Sequence, residues 1–191
     1  MSRLEIIIGN MFSGKSTELI RRLKRHQAIG TPILVINSTK DVRSEKDVLQ
    51  THDKSTLNCI KTNSLNTVDV PKHIKVVGID ECQFFTGLRD FVQSCLDRDI
   101  HIILAGLDGD FMQQTFGEIL SLVPLADQVL KLTALCMECM DGTPGPFTKR
   151  TVESKEQELV GASECYKAVC RRHLEPRTTK TVINPFGENF Y

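Results

Sequence analysis

Along the first two thirds of the chain, short apolar runs alternate with stretches whose apolar residues recur every three or four positions. Strands buried on both faces and separated by amphipathic helices produce that pattern, so it predicts a parallel sheet with helices on each side. Residues 4–8 (LEIII) read as a first buried strand, and residues 16–29 as a helix. In that helix Leu19, Ile20 and Leu23 share one face, Arg21, Arg22, Lys24 and Arg25 are expected mostly to face water, and Gly30-Thr31-Pro32 stops it. Residues 33–36 form the second expected strand, 75–79 (KVVGI) the third, 101–107 (HIILAGL) the fourth and 129–135 the fifth. Leu88, Phe91, Val92, Cys95 and Leu96 are spaced as a helix, with Phe91 expected in the core. A short helix is expected over 116–123, ending near Pro124. The polar stretch 37–73 reads as loop with short strands, a length that suggests function or mobility.

The character changes at Cys136. Spaced cysteines and turn residues (Asp141-Gly142-Thr143-Pro144-Gly145-Pro146) replace the long periodic segments. The reading is therefore two units, 1–135 and 136–191, the second too small to rely on an apolar core alone.

Composition narrows the function. The 191 residues carry 24 Lys+Arg against 24 Asp+Glu, a balance with no basic excess for a nucleic-acid backbone. No run approaches the roughly 20 apolar residues of a membrane span, and the short N-terminal apolar stretch reads as a strand, not a secretion signal. Seven cysteines, an odd number in a chain of this length, point to a reducing compartment, hence cytoplasm.

Three constellations carry chemistry. Gly9-Asn10-Met11-Phe12-Ser13-Gly14-Lys15-Ser16 matches G-x-x-x-x-G-K-[ST] between an expected strand and an expected helix. In such a loop backbone N–H groups and the helix N-terminus face phosphates, the lysine reaches the β- and γ-phosphates, and the Ser16 hydroxyl ligates Mg²⁺. The strand VVGI then ends in Asp80-Glu81, where strand carboxyl ends face a ligand crevice. Asp80 is read as a second Mg²⁺ residue and Glu81 as the base that takes a proton from an attacking hydroxyl or water. These residues alone specify a P-loop ATPase or kinase. A helicase would need a second such domain and a basic track, for which there is no room. Finally Cys136-x-x-Cys139 and Cys170-x-x-His173 supply three thiolates and an imidazole, a closed tetrahedral set for structural Zn²⁺. Cys165 lies off the pattern.

With these in place the chain resembles the zinc-containing thymidine kinase family of the cytosolic, bacterial and poxviral type. MFSGKST at 11–17, IDECQFF at 79–85, LDGDF at 107–111 and Phe116-Gly117 resemble its loop, catalytic and pocket segments. LVPLAD, KLTALCMEC, FTKR and VGASECYKAVCRRH follow in the family's order. The resemblance implies an α/β fold: a RecA-like P-loop domain with a central parallel sheet, plus a small zinc-binding domain carrying a substrate-covering loop. It implies transfer of the γ-phosphate of MgATP to the 5′-hydroxyl of thymidine, giving dTMP and ADP. A homotetramer and feedback inhibition by dTTP are implied as well. Glu81 falls on the family's catalytic base. Gly9 to Thr17 (Thr17 included), Asp41, Arg43, Asp80 and Gln83 fall on nucleotide-contacting positions. Met11, Phe84, Leu107, Phe111, Phe116 and Tyr166 fall on the nucleoside pocket, and Gln157, Glu158, Leu159, Val160 and Gly161 on the loop that reads the base. Two departures stand out. Asn10 replaces a common proline and is expected to loosen the loop. Cys82 replaces a small residue and is expected to put an oxidisable thiol beside the site.

Overall fold

A computed structural model of the protein describes residues 1–41, 48–50, 56–152 and 165–174. Its elements run in chain order as β1 (Arg3–Gly9), α1 (Lys15–Ala28), β2 (Ile33–Ser38), β3 (Val48–Gln50), β4 (Thr56–Asn58) and β5 (Ile60–Thr62). They continue with β6 (Val76–Ile79), α2 (Leu88–Asp97), β7 (His101–Leu107), β8 (Gln128–Leu132), β9 (Ala134–Leu135), β10 (Pro144–Gly145), β11 (Phe147–Arg150) and β12 (Tyr166–Val169).

Six strands form one sheet in the order β5-β2-β6-β7-β1-β8, parallel throughout. The alternating pleat explains why the strand sequences are apolar without a break. Ile6, Ile8, Ile102 and Leu104 point to a core closed by α2, while Ile7, Ile103 and Ala105 point to a core closed by Leu19, Ile20 and Leu23 of α1. Parallel pairing also puts every strand's carboxyl end on one edge. Gly9 registers with Leu107, and Ile79 with both Ile36 and Leu104. The segments after β1, β2, β6 and β7 are thereby gathered at a single rim, and the candidate site is built from them.

The structure corrects the expected elements in three places. The helix anticipated over 116–123 is a 3₁₀ segment, Ile119–Leu125, that contains Pro124. Short 3₁₀ turns accommodate a proline that an α-helix would expel. The fifth strand is split: β8 ends at Leu132, and Ala134–Leu135 leave the large sheet to pair with β10. Arg22 is buried rather than exposed. Its guanidinium meets Glu5 on β1 and donates to Glu18 one helical turn back at 2.8 Å. A lone carboxylate inside the apolar run LEIII was the sign that a cation would have to follow it inward.

Beyond the sheet, β9 with β10 and β11 with β12 form two small antiparallel pairs. Together they frame the Cys/His cluster. Phe91 is half-buried and packs against the larger core. Among the described residues no helix is long and apolar enough to cross a membrane.

Candidate functional site

The glycine loop joins β1 to α1. Gly14 takes a left-handed conformation at the helix start, and Phe12, not a glycine, has φ 66°. Lys15, Ser16 and Thr17 occupy the first turn of α1, so their amides stand at the positive end of its dipole. The Lys15 ammonium donates to the Asn10 carbonyl at 2.8 Å, and the Ser13 hydroxyl donates to the same oxygen at 2.8 Å. Asn10 is not a loosening substitution. It is buried, its amide nitrogen donates to Met11 and Gly145 carbonyls at 3.0 and 2.9 Å, and its amide oxygen accepts from the Ala134 N–H at 3.3 Å. The Met11 N–H is in turn bound by the Thr148 hydroxyl oxygen at 3.1 Å.

At the end of β6, Asp80 is buried and its N–H donates to the Ile36 carbonyl at 2.9 Å. Glu81 follows in a left-handed conformation, φ 53°, at the start of a 3₁₀ turn. A non-glycine residue held there carries backbone strain of about 1–3 kcal/mol, the kind of cost found where a side chain must be aimed. Gln83 fixes the aim. Its amide donates to a Glu81 carboxylate oxygen at 2.5 Å, and its carbonyl accepts from the Leu107 N–H at 3.0 Å. Gln83 is buried, so β6 and β7 are locked together behind the carboxylate. Asp41, after β2, is buried and accepts from the Asn37 amide at 2.8 Å. Arg43 and residues 157–161 lie outside the described residues.

Cys82 does not behave as expected. It is fully buried, and its thiol donates to the Ile79 carbonyl at 3.3 Å. Burial first, then the charge of Asp80, pushes the thiol well above its ordinary range. Without accessible thiolate it is a poor target for oxidation or alkylation, which overturns the redox expectation.

Two aromatic groups flank the rim. Phe84 meets Phe116 edge to face at 5.6 Å between centroids, and the Lys40 ammonium lies 5.0 Å over the Phe84 ring. Its neighbour Phe85 is plain core. In the second group the Arg150 guanidinium stacks 3.7 Å over Phe111, lies 5.2 Å over the Tyr166 ring, and donates to the Tyr166 hydroxyl at 2.7 Å. Met11 and Leu107 are half-buried beside these groups' supports, Met11 against Thr148 of β11 and Leu107 against Gln83. Arg150, Thr148 and Lys40 were missed from sequence. FTKR carried the first two as family motif, but nothing in the spacing says which aromatic rings an arginine will reach.

Gly117 is fixed by its surroundings. It has φ 66°, and a Cβ there would lie 2.5 Å from the Gln83 carbonyl oxygen and 2.8 Å from the Gln83 Cα. Gly117→Ala should therefore lower stability by about 2–3 kcal/mol, read as the shift in urea midpoint at unchanged slope. A loss below about 0.5 kcal/mol would mean that the turn behind Glu81 is not pinned there.

The Cys/His cluster is compact. Ligand atoms of Cys136, Cys139, Cys170 and His173 all lie within 4.8 Å of one another. Cys139 and Cys170 sulfurs are 3.7 Å apart, and His173 Nδ1 is 3.7, 3.5 and 3.4 Å from the sulfurs of Cys136, Cys139 and Cys170. Tetrahedral zinc with standard bond lengths has sulfur–sulfur edges of about 3.8 Å and sulfur–nitrogen edges of about 3.6 Å. The donor set fits zinc in both identity and spacing. Burial opposes ionisation of Cys136, but backbone N–H groups, that of Cys170 foremost, outweigh it and bring the thiol down to about 6. Hydrogen bonding to Cys136 and Cys170 raises His173. Cys165 is no part of the cluster.

Comparison with known proteins is consistent along the chain. A family model described as thymidine kinase matches residues 2–174. The chain is 44% identical over 169 residues to the thymidine kinase of Yaba monkey tumor virus (strain VR587), covering 88% of this chain and 92% of that one. It is 42% identical over 171 residues to the thymidine kinase of Myxoma virus (strain Uriarra), covering 89% and 94% respectively. To the bovine protein named thymidine kinase, cytosolic, it is 41% identical over 170 residues, covering 88% of this chain and 70% of that one.

Proposed function

The chain belongs to the thymidine kinase family, and from that premise we propose that it transfers the γ-phosphate of ATP to the 5′-hydroxyl of thymidine, giving dTMP and ADP for nucleotide salvage. The observation that carries the reading is the pairing, on one rim, of a lysine-bearing glycine loop with a carboxylate held by Gln83. Phosphoryl transfer asks little covalent chemistry of a protein; it asks for alignment and for charge placed where charge develops.

In this reading the loop amides from Gly9 to Gly14 and the start of α1 cradle the triphosphate, and Lys15 meets its β- and γ-phosphates. Ser16 and Asp80 would hold the Mg²⁺ that accompanies ATP, which when bound offsets phosphate charge. Glu81 accepts the proton of the 5′-hydroxyl as that oxygen attacks. Phe84, Phe111, Phe116, Tyr166, Met11 and Leu107 enclose the nucleoside, with Arg150 setting the angle of Phe111 and Tyr166. Residues 157–161 would read the base edge, and Asp41 and Arg43 would contact nucleotide. Zinc in the Cys₃His set has no open position for substrate, so its part is structural. The division at 135/136, a homotetramer, inhibition by dTTP and a cytoplasmic location belong to the same proposal. The location is supported by the bovine relative's name and by four cysteines outside the Cys/His cluster, Cys59, Cys82, Cys95 and Cys165, that form no disulfide.

The test is a nucleoside panel with MgATP. Thymidine should be converted to its monophosphate with matching ADP release. ATP turnover without phosphorylated nucleoside would make the protein an ATPase. No turnover would make it a binding module.

A further inference from the structure

The Asn10 side chain donates to the Met11 carbonyl within the glycine loop and also reaches beyond the loop to two strands at once. The amide oxygen accepts from Ala134 on β9 and the amide nitrogen donates to Gly145 on β10, residues that face each other in register. Both strands belong to the cysteine knuckle: β9 runs directly into Cys136, and the Cys136 N–H donates to the Thr143 carbonyl just before β10 at 2.8 Å. The contact is tight, since a Cβ on Gly145 would lie 2.8 Å from the Cys136 Cα. Meanwhile the backbone carbonyl of Asn10 is the oxygen that holds Lys15 and Ser13. One residue thus ties the phosphate lysine to the stem of the Cys/His centre. With only 3% of its surface exposed, its amide has protein rather than water as partner, and losing those bonds would leave buried groups unsatisfied.

We propose that Asn10 is a positioning residue that couples the Cys136/Cys139/Cys170/His173 centre to the phosphate loop, so that a metal-loaded centre holds the loop in its ATP-binding shape. This rests on the reading above that the loop binds ATP. It makes the centre a determinant of nucleotide affinity and not merely of folding.

The experiment measures MgATP dissociation constants by calorimetry for wild type, Asn10→Ala and Asn10→Asp, each metal-loaded and after chelation, with zinc content and both KM values recorded. Chelation should weaken ATP binding by wild type about tenfold. Loaded Asn10→Ala should keep its zinc yet bind ATP about tenfold more weakly, and chelation should then add little. Asn10→Asp keeps the side-chain shape and the oxygen that accepts from Ala134 but replaces the donor to Gly145 with an oxygen. Each protein is compared with itself across the two metal states, so any general loss from the buried acid cancels and the loaded-to-chelated ratio of both variants should fall toward one. Wild-type ATP affinity in loaded Asn10→Ala, or equal weakening on chelation in all three proteins, overturns the proposal. Failure of wild type to phosphorylate thymidine would sink the kinase reading instead and leave the ATP titrations legible.

Discussion

Lys15→Met should reduce kcat/KM for thymidine phosphorylation about a thousandfold while shifting the melting temperature by only a few degrees. The lysine is half-buried in the first turn of α1, and its ammonium rests on the Asn10 carbonyl at 2.8 Å. A charge-assisted hydrogen bond of that kind contributes about 1.5–3 kcal/mol, toward the low end where water competes for a half-exposed ammonium, and methionine keeps most of the aliphatic stem, so the melt shifts by only a few degrees. Catalysis is affected far more. As the γ-phosphoryl group moves, negative charge shifts toward the bridging oxygen between β- and γ-phosphates, where the proposed reading places the ammonium. Removing one preorganised donor from such a site costs about 10²–10³ in rate. The loss of a full positive charge belongs at the upper end of that range. Steady-state kinetics with varied ATP, beside a thermal melt, checks both halves. Less than a tenfold loss would mean that the lysine does not meet the transferred group, and a collapsed melt would mean that its role is architectural.

How much of this was visible in the sequence depends on the range of the forces involved. The six-strand sheet was legible in outline because a strand buried on both faces must be apolar throughout, as IIIG, VVGI and IILAGL are. The loop was legible because strand, glycines and helix lie within a few residues. So was the Cys/His cluster, since each C-x-x-[CH] pair fits on one turn. What escaped were pairings across the fold. Arg22 was assigned to water because helical periodicity sees its own helix and not Glu5 on the neighbouring strand. Asn10 was taken as a weakness because its partners, Ala134 and Gly145, are more than a hundred residues away. Arg150 carried no sign of the two rings it would reach. The break at Thr133, which sends the chain out of the large sheet into the knuckle, is not marked in sequence, since Lys131 two residues earlier is also polar and stays in β8. Cys82 was misjudged by adjacency: one residue from Glu81 along the chain, it points into the core while Glu81, in a left-handed turn, does not follow the strand.

That left-handed turn leads to the second large effect. Glu81→Gln should lower kcat about a thousandfold and leave the dissociation constant for ATP within threefold. The substitution is close to isosteric, and the site can absorb it. The Gln83 amide that donates to the Glu81 carboxylate can still donate to a glutamine carbonyl oxygen, so a weaker neutral bond replaces the 2.5 Å contact and Gln83 keeps its bond to Leu107. The φ of 53° belongs to the backbone of a turn whose next residues are closely packed, Gly117 lying against the Gln83 backbone, and the substitution changes no backbone atom. What glutamine cannot do is accept a proton. The 5′-hydroxyl is a weak nucleophile until its proton has somewhere to go, and a positioned base typically contributes 10²–10⁴ in rate. A fall in kcat with intact ATP binding isolates that step from binding. Turnover within tenfold of wild type would show that the proton leaves by another route, directly to the transferred phosphoryl oxygens or through water, and that the strain at residue 81 aims the carboxylate at something other than the sugar.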